Sequence, residues 1–328
     1  MRTDVGVVVI GRNEGDRLIA CLDSLRNVPV LSSRIVYVDS GSDDGSPEAA
    51  SQLGALVVHL AAERPFSAAR ARNEGFEALM RLAPDLQYVQ FVDGDCTLSP
   101  TWIPNSLELI EARNNVAIVC GRRRERNPGY SVYNKLCDIE WDAAQGDVVS
   151  CGGDFLIRAD AFKQVSGFNA TLIAGEEPEM CVRLKEKGWS IWRLPAEMTT
   201  HDAAISRFAQ WWRRTVRSGY GYAQVAWLHR RSSSVSKRSV LSATLWGGIL
   251  PVVICLGSFT YPLVIGTASL YPAQMCRIAT KRGISMRKSW LYAMFMLVAK
   301  FAEFNGMIWF VISSLRPKIS NGIDYKRV

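Results

Sequence analysis

The sequence lacks several motifs that would assign the chain to a common class of protein. Its eight cysteines form no C-x-x-C pair and no zinc spacing, so most are expected to be reduced core residues. Its glycines form no G-x-G-x-x-G pattern, which disfavours a dinucleotide cofactor. The N-terminal residues run directly into a strand-like segment without the apolar core of a signal peptide. These absences fit a body that folds in the cytosol.

Acidic residues are scarce in the last third of the chain. Beyond residue 202 the sequence holds 18 Lys and Arg residues but only two acids, Glu303 and Asp324. A region of this charge is typical of proteins that bind an anionic partner, either nucleic acid or lipid. The uncharged run at 240–270 favours lipid, because nucleic-acid binding does not explain it. We therefore expect anionic membrane lipids as a partner and no nucleic acid.

Two hydrophobic blocks, 240–270 and 289–315, are each long enough for a membrane helix, which needs about 20 apolar residues. Pro251 and Pro262 interrupt the first block, and basic clusters flank both blocks. Because basic flanks favour the cytoplasmic side, we expect a Pro-bent hairpin in the first block and an interfacial or re-entrant helix in the second. The alternative is a buried helical core at a dimer interface.

The first half of the chain alternates short β-branched runs with segments of helical spacing. The predicted strands are Val5–Ile10, Arg34–Asp39, Ala55–His59, Tyr88–Asp93 and Val116–Gly121, with helical segments between them. This order predicts βαβ units and a mostly parallel sheet. Such a sheet binds ligands at the carboxyl ends of its strands, where the polar clusters of this sequence lie.

Two carboxylates separated by one glycine end the fourth predicted strand, in the order Asp93-Gly94-Asp95. In a strand, residues i and i+2 point to the same side, so both carboxylates can face one position. Mg²⁺ and Mn²⁺ bind such oxygens and usually bind substrate phosphates as well. The pattern predicts a metal-diphosphate site; ordinary turn chemistry is the alternative for the tripeptide alone.

Three further positions carry side chains suited to a nucleotide or to proton transfer. Asp39 ends the second predicted strand, as does the acid that contacts base or ribose in nucleotide folds. Arg72 opens a long helix, where its guanidinium suits phosphate or base recognition, with a solvated helix face as the alternative. Glu176 and Glu177 begin another helix. Acids there compensate the helix dipole, but a crowded carboxylate beside a diphosphate can also act as a general base.

These segments together resemble the family 2 glycosyltransferases, which have the GT-A fold. The resemblance covers about residues 5–220 and rests on the order and spacing of its motifs. The motifs are Val7-Val-Val-Ile-Gly-Arg-Asn13-Glu14, Val38-Asp39-Ser-Gly-Ser-Asp-Asp-Gly-Ser46, Ala69-Arg-Ala-Arg72-Asn73-Glu-Gly75, Phe91-Val-Asp93-Gly-Asp95, Cys151-Gly-Gly-Asp154 with Gly167-Phe168, and Gly175-Glu-Glu177-Pro-Glu179 with Arg183-Leu184. The implied fold is α/β, a Rossmann-like mixed sheet flanked by helices, followed by a helical membrane-associated region.

The resemblance also implies a role for each matching residue. A UDP- or GDP-sugar would be bound by Asn13, Glu14, Asp39, Arg72 and Asp93, and a Mg²⁺ or Mn²⁺ ion by Asp93, Asp95 and His201. A packing role is the alternative for His201. The acceptor base of the family is usually an aspartate; here Glu177 holds that place, and we prefer it to Glu176. The acceptor side would comprise Asp154, Gln210, Trp211 and Arg213.

Processive members of the family carry Gln-x-x-Arg-Trp, whereas this chain reads Gln210-Trp-Trp-Arg213-Arg214. We therefore predict an inverting, metal-dependent enzyme that adds one sugar to a polyprenyl-diphosphate-linked glycan at the cytoplasmic face of the plasma membrane. The alternatives are transfer to polyprenyl phosphate itself and a membrane-tethered nucleotide-sugar binder without turnover. The predicted domains are a GT-A catalytic domain (1–206), a basic interfacial segment (207–238) and a hydrophobic membrane-associated region (239–328).

Overall fold

The computed structural model describes residues 5–28, 34–231, 235–281 and 286–315. These residues form two compact units, and the boundary falls between Ser206 and Arg207. Part of the predicted C-terminal region, residues 316–328, lies outside the described residues. The first unit contains the β-strands, and the second unit is helical.

The first unit is built on one mixed β-sheet. Within the described residues its strands are β1 (Val5–Gly11), β2 (Ile35–Asp39), β3 (Leu56–His59), β4 (Tyr88–Asp93), β5 (Cys96–Leu98), β6 (Val116–Glu125), β7 (Gly146–Asp147), β8 (Phe155–Arg158) and β9 (Ser190–His201). Their order is β3-β2-β1-β4-β8-β6-β9-β5, with β7 beside β9. β1 is parallel to β2 and β4, whereas β8 is antiparallel to β4 and β6. The mixed sheet is confirmed. The expectation of a mostly parallel sheet holds from β1 to β4, whereas beyond β4 antiparallel pairs accompany the parallel pair of β6 with β9.

Helices cover this sheet and bury their apolar faces against it. They are α1 (Asp16–Arg26), α2 (Ser46–Gln52), α3 (Ala68–Leu82), α4 (Trp102–Ala112), α5 (Val132–Trp141), α6 (Ala159–Gln164) and α7 (Glu176–Glu186). Helix α3 approaches the sheet closely at Gly75, where an added Cβ would lie 2.4 Å from a methyl group of Val8. Glycine at this position therefore lets the N-terminal half of α3, which carries Arg72, lie directly over β1.

The second unit is helical. Its helices are α8 (Phe208–Leu228), α9 (Val235–Ala243), α10 (Leu250–Thr260), α11 (Leu270–Lys281) and α12 (Met286–Leu315), with a π-helical turn at Thr244–Ile249 and a 3₁₀ segment at Pro262–Ser269. The first hydrophobic block turns at Tyr261, whose N–H donates to the Gly257 carbonyl at 2.8 Å. The chain then returns, and the Tyr271 hydroxyl donates to the Trp246 carbonyl at 2.7 Å. The block is thus a bent hairpin within this unit.

The second hydrophobic block is the continuous helix α12, which packs along α8. At the crossing, a Cβ added to Gly219 would lie 2.1 Å from the Glu303 carbonyl, and one added to Gly306 would lie 1.9 Å from the Val216 carbonyl. Glycines on both helices therefore bring the two backbones together, as small residues do in membrane helix pairs. Helix α8 and the C-terminal helices therefore belong to one compact unit.

Candidate functional site

The carboxyl ends of three parallel strands meet at one edge of the sheet. In the strand register, Gly11 of β1 is paired with Asp39 of β2, and Ile10 of β1 with Asp93 of β4. The loops that follow these strands therefore lie side by side. This arrangement brings together the polar clusters around Asn13, Asp39 and Asp93, as the strand order predicted.

Asp39 organises the loop after β2. Its carboxylate accepts the N–H groups of Gly41 and Ser42 at 2.9 and 3.0 Å, and also the Tyr37 hydroxyl at 3.2 Å. Burial and the neighbouring carboxylate raise the pKa of Tyr37, so its hydroxyl stays protonated and donates. Asn13, at a φ of 55°, links this loop to the loop after β1, since its side-chain oxygen accepts the Asp43 N–H at 2.9 Å. Asp39 and Asn13 thus form one rigid corner of the site.

Arg72 lies at the centre of the site and is almost fully buried. One of its terminal nitrogens lies 2.8 Å from Asp93, and the other lies 3.1 Å from Glu176 and 3.0 Å from Glu177. A buried guanidinium of this kind is tolerated only when carboxylates compensate it, and here three do so. Arg72 therefore holds the end of β4 and the start of α7 at a fixed separation.

Arg123, on β6, is a second, partly buried cation that was not predicted from the sequence. Its Nη2 lies 3.1 Å from Asp93 and 2.7 Å from Asp154. Asp154 is completely buried; it also accepts the Thr199 hydroxyl at 2.6 Å and the Asp93 N–H at 3.0 Å. The structure thus places Asp154 behind Asp93, where it orients that residue, and not on an acceptor-facing surface. The run Gly121-Arg-Arg-Arg-Glu125 at the end of β6 is the sequence feature that could have indicated Arg123 as a site residue.

Helix α7 presents the candidate bases. Gly175 precedes it with a φ of 83°, and Glu176, Glu177 and Glu179 occupy its first turn. Glu179 is paired with Arg183 at 2.6 Å on the same helix. Burial, followed by the charge of Glu176, raises the pKa of Glu177 to about 7, and the nearby Arg72 only partly offsets this. A pKa near 7 suits Glu177 to proton transfer near neutral pH.

Asp95 and His201 form an ion pair at the edge of the same site. The His201 Nε2 lies 3.2 Å from Asp95, and its Nδ1 lies 4.0 Å from Glu125. Burial acts to lower the pKa of His201, but the interactions with the two carboxylates outweigh it and raise the pKa to about 9. The same pair lowers the pKa of Asp95 against the opposing effect of burial. The structure therefore brings together His201 and the acid with which the resemblance grouped it.

The donor atoms around Asp93 and Asp95 fit a hard divalent cation. Potential ligand atoms of Asp95, Cys96 and His201 lie within 4.8 Å of one another, as do those of Asp93, Cys96 and Asp154. Burial raises the pKa of Cys96 well above its ordinary value, so this thiol does not act as a thiolate ligand. Without the thiol, Asp95 and His201 remain in the first group and Asp93 and Asp154 in the second, and carboxylate oxygens of this kind suit Mg²⁺ or Mn²⁺.

Three predicted acceptor-side residues lie on the first turns of α8 in the second unit. The Gln210 side-chain oxygen accepts the Arg207 N–H at 2.9 Å, so this residue caps the helix. Trp211 is buried and packs edge-on against Phe295, with the ring centroids 5.1 Å apart. The predicted acceptor contact of Trp211 therefore gives way to a packing role. Arg213 is exposed and donates to the Ala209 carbonyl at 3.3 Å.

Comparisons with known proteins agree with this fold. The model described as "Glycosyl transferase family 2" matches residues 6–164, and the model described as "Glycosyl transferase family group 2" matches residues 88–308. The glycosyltransferase AglE of Haloferax volcanii is 25% identical over 260 residues, which are 75% of this chain and 81% of that protein. The succinoglycan biosynthesis protein ExoA of Rhizobium meliloti is 24% identical over 57% of this chain and 59% of its own length.

Solved structures share the architecture. The mannosyltransferase PcManGT from Pyrobaculum calidifontis, in complex with GDP-Man and Mn²⁺, aligns with a TM-score of 0.59 at 17% identity. The alignment covers 93% of this chain and 87% of that one. The Staphylococcus aureus TarS 1–349 structure aligns with a TM-score of 0.51 at 13% identity. At these identities the likeness establishes the GT-A fold alone.

We predict that the thermal stability of the protein in EDTA falls as the pH rises from about 6.5 to about 9. The folded-state pKa of His201 is about 9, above its ordinary 6.5, so its stabilising charge is fully present below 6.5 and is lost as the pH passes 9. The effect amounts to at most about 3 kcal/mol. Melting temperatures of wild type, His201→Gln and the control His229→Gln measure it. Equal pH dependence in wild type and His201→Gln would contradict it.

Proposed function

Because the chain belongs to glycosyltransferase family 2, we propose that it is an inverting, metal-dependent enzyme that transfers one sugar from a nucleotide-diphospho-sugar to a lipid-linked glycan. The contact of the Arg72 guanidinium with Asp93 on one side and with Glu176 and Glu177 on the other carries the proposal. It holds a carboxylate with a raised pKa beside the acids that suit a metal-diphosphate. An acceptor hydroxyl and a departing diphosphate require these two kinds of group.

The donor side is formed by the loops after β1, β2 and β4. Asn13 and Asp39 form the rigid corner that would receive the base and ribose, with Glu14 beside them. Arg72 and Arg123 supply N–H groups for the diphosphate oxygens, for which planar guanidinium groups are well suited. The GDP-Man in the PcManGT complex supports a UDP- or GDP-sugar as the donor.

The proposed cation is Mg²⁺ or Mn²⁺, held by Asp93, Asp95 and His201, whose imidazole would release its proton when the ion binds. When bound, the ion would neutralise negative charge on the departing diphosphate. The ion pair between His201 and Asp95 fixes the positions of these two side chains. Asp154 and Arg123 do the same for Asp93 through its N–H and its carboxylate. The Mn²⁺ in the PcManGT complex supports this assignment.

Glu177 is the proposed base. With a pKa of about 7 it is half deprotonated at neutral pH and can accept the proton of an acceptor hydroxyl. The hydroxyl oxygen then bonds to the anomeric carbon while the bond from that carbon to the diphosphate breaks. A single displacement of this kind inverts the anomeric configuration, and the diphosphate leaves with the bonding electron pair.

The helices of the second unit support a membrane-embedded acceptor. Two helical stretches, Ser236–Thr260 and Ser289–Leu315, are apolar and long enough to cross a bilayer. Around the turn of the hairpin, Phe259 and Leu263 are 87% and 93% exposed. Apolar groups so exposed indicate contact with lipid or with another protein. The role in succinoglycan biosynthesis that the name of ExoA gives supports a glycan intermediate as the acceptor.

Geometry favours attachment to the cytoplasmic leaflet without crossing. The first block is a bent hairpin in which the Tyr271 hydroxyl donates to the Trp246 carbonyl, so the chain returns to the side from which it entered. Helix α12 is long enough to cross a bilayer, but it packs along α8, which carries Arg213, Arg214 and Arg217. These arginines favour the headgroup region, so the paired helices lie there.

We predict that Glu177→Gln lowers kcat by about two to four orders of magnitude and leaves donor binding nearly unchanged. The amide keeps the shape of the side chain but cannot accept the proton. In wild type, kcat should rise with pH through an apparent pKa near 7. Steady-state sugar transfer and donor titration measure these effects. Glu186→Gln, an exposed change on the same helix, serves as the control, and a normal rate for Glu177→Gln would exclude this base.

We predict that Asp95→Asn abolishes Mn²⁺ binding and sugar transfer. The substitution removes a negative carboxylate from the proposed cation site and breaks the ion pair with His201. Electron paramagnetic resonance of free Mn²⁺ measures binding independently of turnover, and transfer is assayed with EDTA and after metal is restored. Asp85→Asn, in an exposed turn, should behave as wild type. Full activity of Asp95→Asn in EDTA would disprove metal dependence.

We predict that detergent, but not high salt, extracts the protein from membranes, and that the end of α12 faces the cytoplasm. The labelling background is Cys255→Ser with Cys276→Ser, since the other six cysteines are buried. In it, Ser314→Cys should resist an impermeant maleimide added to intact cells, as the reference Ser51→Cys in the first unit should. Labelling of Ser314→Cys alone would show that the chain crosses the bilayer.

A further inference from the structure

A polar cavity lies in the first unit, outside the cluster of acids around Asp93 and Asp95. Its volume is about 180 Å³, and its walls include the side chains of Arg122, Arg124, Arg193, Trp141 and Pro195. A cavity volume of about 10–15 Å³ is enough to hold one water molecule. This cavity therefore has room for a group of several atoms.

The cavity exists because the pairing of β6 with β9 is interrupted. Cys120 is paired with Arg193, but the next pair is Arg122 with Glu197. Three residues of β9, including Pro195, therefore lie opposite the single residue Gly121. Proline has no N–H for the ladder, so β9 bulges away from β6 here. The bulge leaves arginines of both strands facing a gap that no hydrophobic side chain fills.

The arginines around this cavity have spare hydrogen-bonding capacity. Within the part of the chain that the structure describes, the Nη1 of Arg122 and the Nε of Arg193 are buried and have no hydrogen-bond partner, while the Nη2 atoms contact Asp138 at 3.3 Å and the Ser150 carbonyl at 3.4 Å, respectively. Two carboxylates also line the cavity, but Asp142 and Glu197 are 70% and 59% exposed, so their ion pairs with Arg122 and Arg124 are weak. An incoming oxyanion with several oxygens would satisfy the buried donors better than these flexible acids do.

Trp141 connects this cavity to the acid cluster. Its ring lines the cavity and meets the His201 ring edge-on, with the centroids 4.9 Å apart. The guanidinium carbon of Arg123 lies 5.5 Å from the same ring. The cavity is therefore separated from the proposed metal ligands by one aromatic side chain. It is close to the acid cluster but distinct from the position of Asp93 and Asp95.

We propose that this arginine cavity binds the diphosphate of the acceptor. The inference rests on the proposed function, in which the acceptor is a glycan linked to a lipid diphosphate. In such an acceptor the reacting hydroxyl and the diphosphate belong to one molecule but are separated by sugar. The acceptor therefore requires an anion site beside the reaction centre but apart from the donor diphosphate. Arg193 and Arg122 bind the acceptor diphosphate, and Trp141 forms the wall between the two sites.

The test is calorimetric titration of the full chain in detergent with inorganic pyrophosphate, in EDTA and at constant ionic strength. EDTA removes binding that depends on a metal at the donor site. We expect wild type to bind and Arg193→Gln to bind at least about tenfold more weakly, the usual loss for a charge-assisted hydrogen bond. Arg193→Lys should be intermediate, because it keeps the charge but loses the planar fork. Arg81→Gln, at an exposed arginine of α3, should match wild type.

Further measurements separate this inference from its alternatives. Affinity for a nucleoside diphosphate with Mn²⁺ should be the same in wild type and Arg193→Gln; an equal loss there would assign the cavity to the donor and overturn the inference. Absence of pyrophosphate binding to wild type, or equal weakening by Arg81→Gln, would also overturn it, while sugar transfer by wild type would leave the proposed function standing. Absence of sugar transfer would overturn the proposed function and with it the acceptor assignment.

Discussion

Charge compensation around two guanidinium groups, one buried and one partly buried, is the constraint on which the site depends. Arg72 and Arg123 both contact Asp93, and each contacts a further acid, on α7 or at the start of β8. Neither the arginines nor the acids would be tolerated alone in this position, because an unpaired buried charge costs several kcal/mol. The pairs therefore hold β4, β6, β8 and α7 in one relative arrangement.

The same network separates the acids of the site by their protonation. Glu177 is crowded by Glu176 and shielded from water, so its pKa rises to about 7. Asp95 faces the cationic His201, so its pKa falls. Two carboxylates of similar chemistry thus acquire different roles, one suited to exchanging a proton and one suited to holding a cation. Pairs of titratable groups with divergent pKa values are characteristic of catalytic sites.

Close approach of backbone governs both units in different ways. In the first unit, Gly75 lets α3 lie on the sheet, which sets the depth at which Arg72 enters the site. In the second unit, Gly219 and Gly306 let α8 and α12 touch backbone to backbone. The bulge in β9 has the opposite effect, since Pro195 opens the sheet and leaves a cavity lined with arginines. Glycine and proline residues therefore determine, together with the charged residues, which charged side chains come into contact.

The sequence by itself determined where strands β1 to β4 lie along the chain, and that Asp39, Asp93 and Asp95 lie at strand ends. It also indicated the family. β-Branched runs and acids at strand ends are local patterns, so they can be recognised without the tertiary structure. Only the tertiary structure decided that Arg123 and Glu125 join the site, that Asp154 lies behind Asp93, and that Trp211 packs in a core. These contacts join residues that lie far apart in sequence, so no local pattern of residues indicates them. The pKa of Glu177 and the partners of each arginine depend on burial and on ion pairing. Both exist only once the chain has folded.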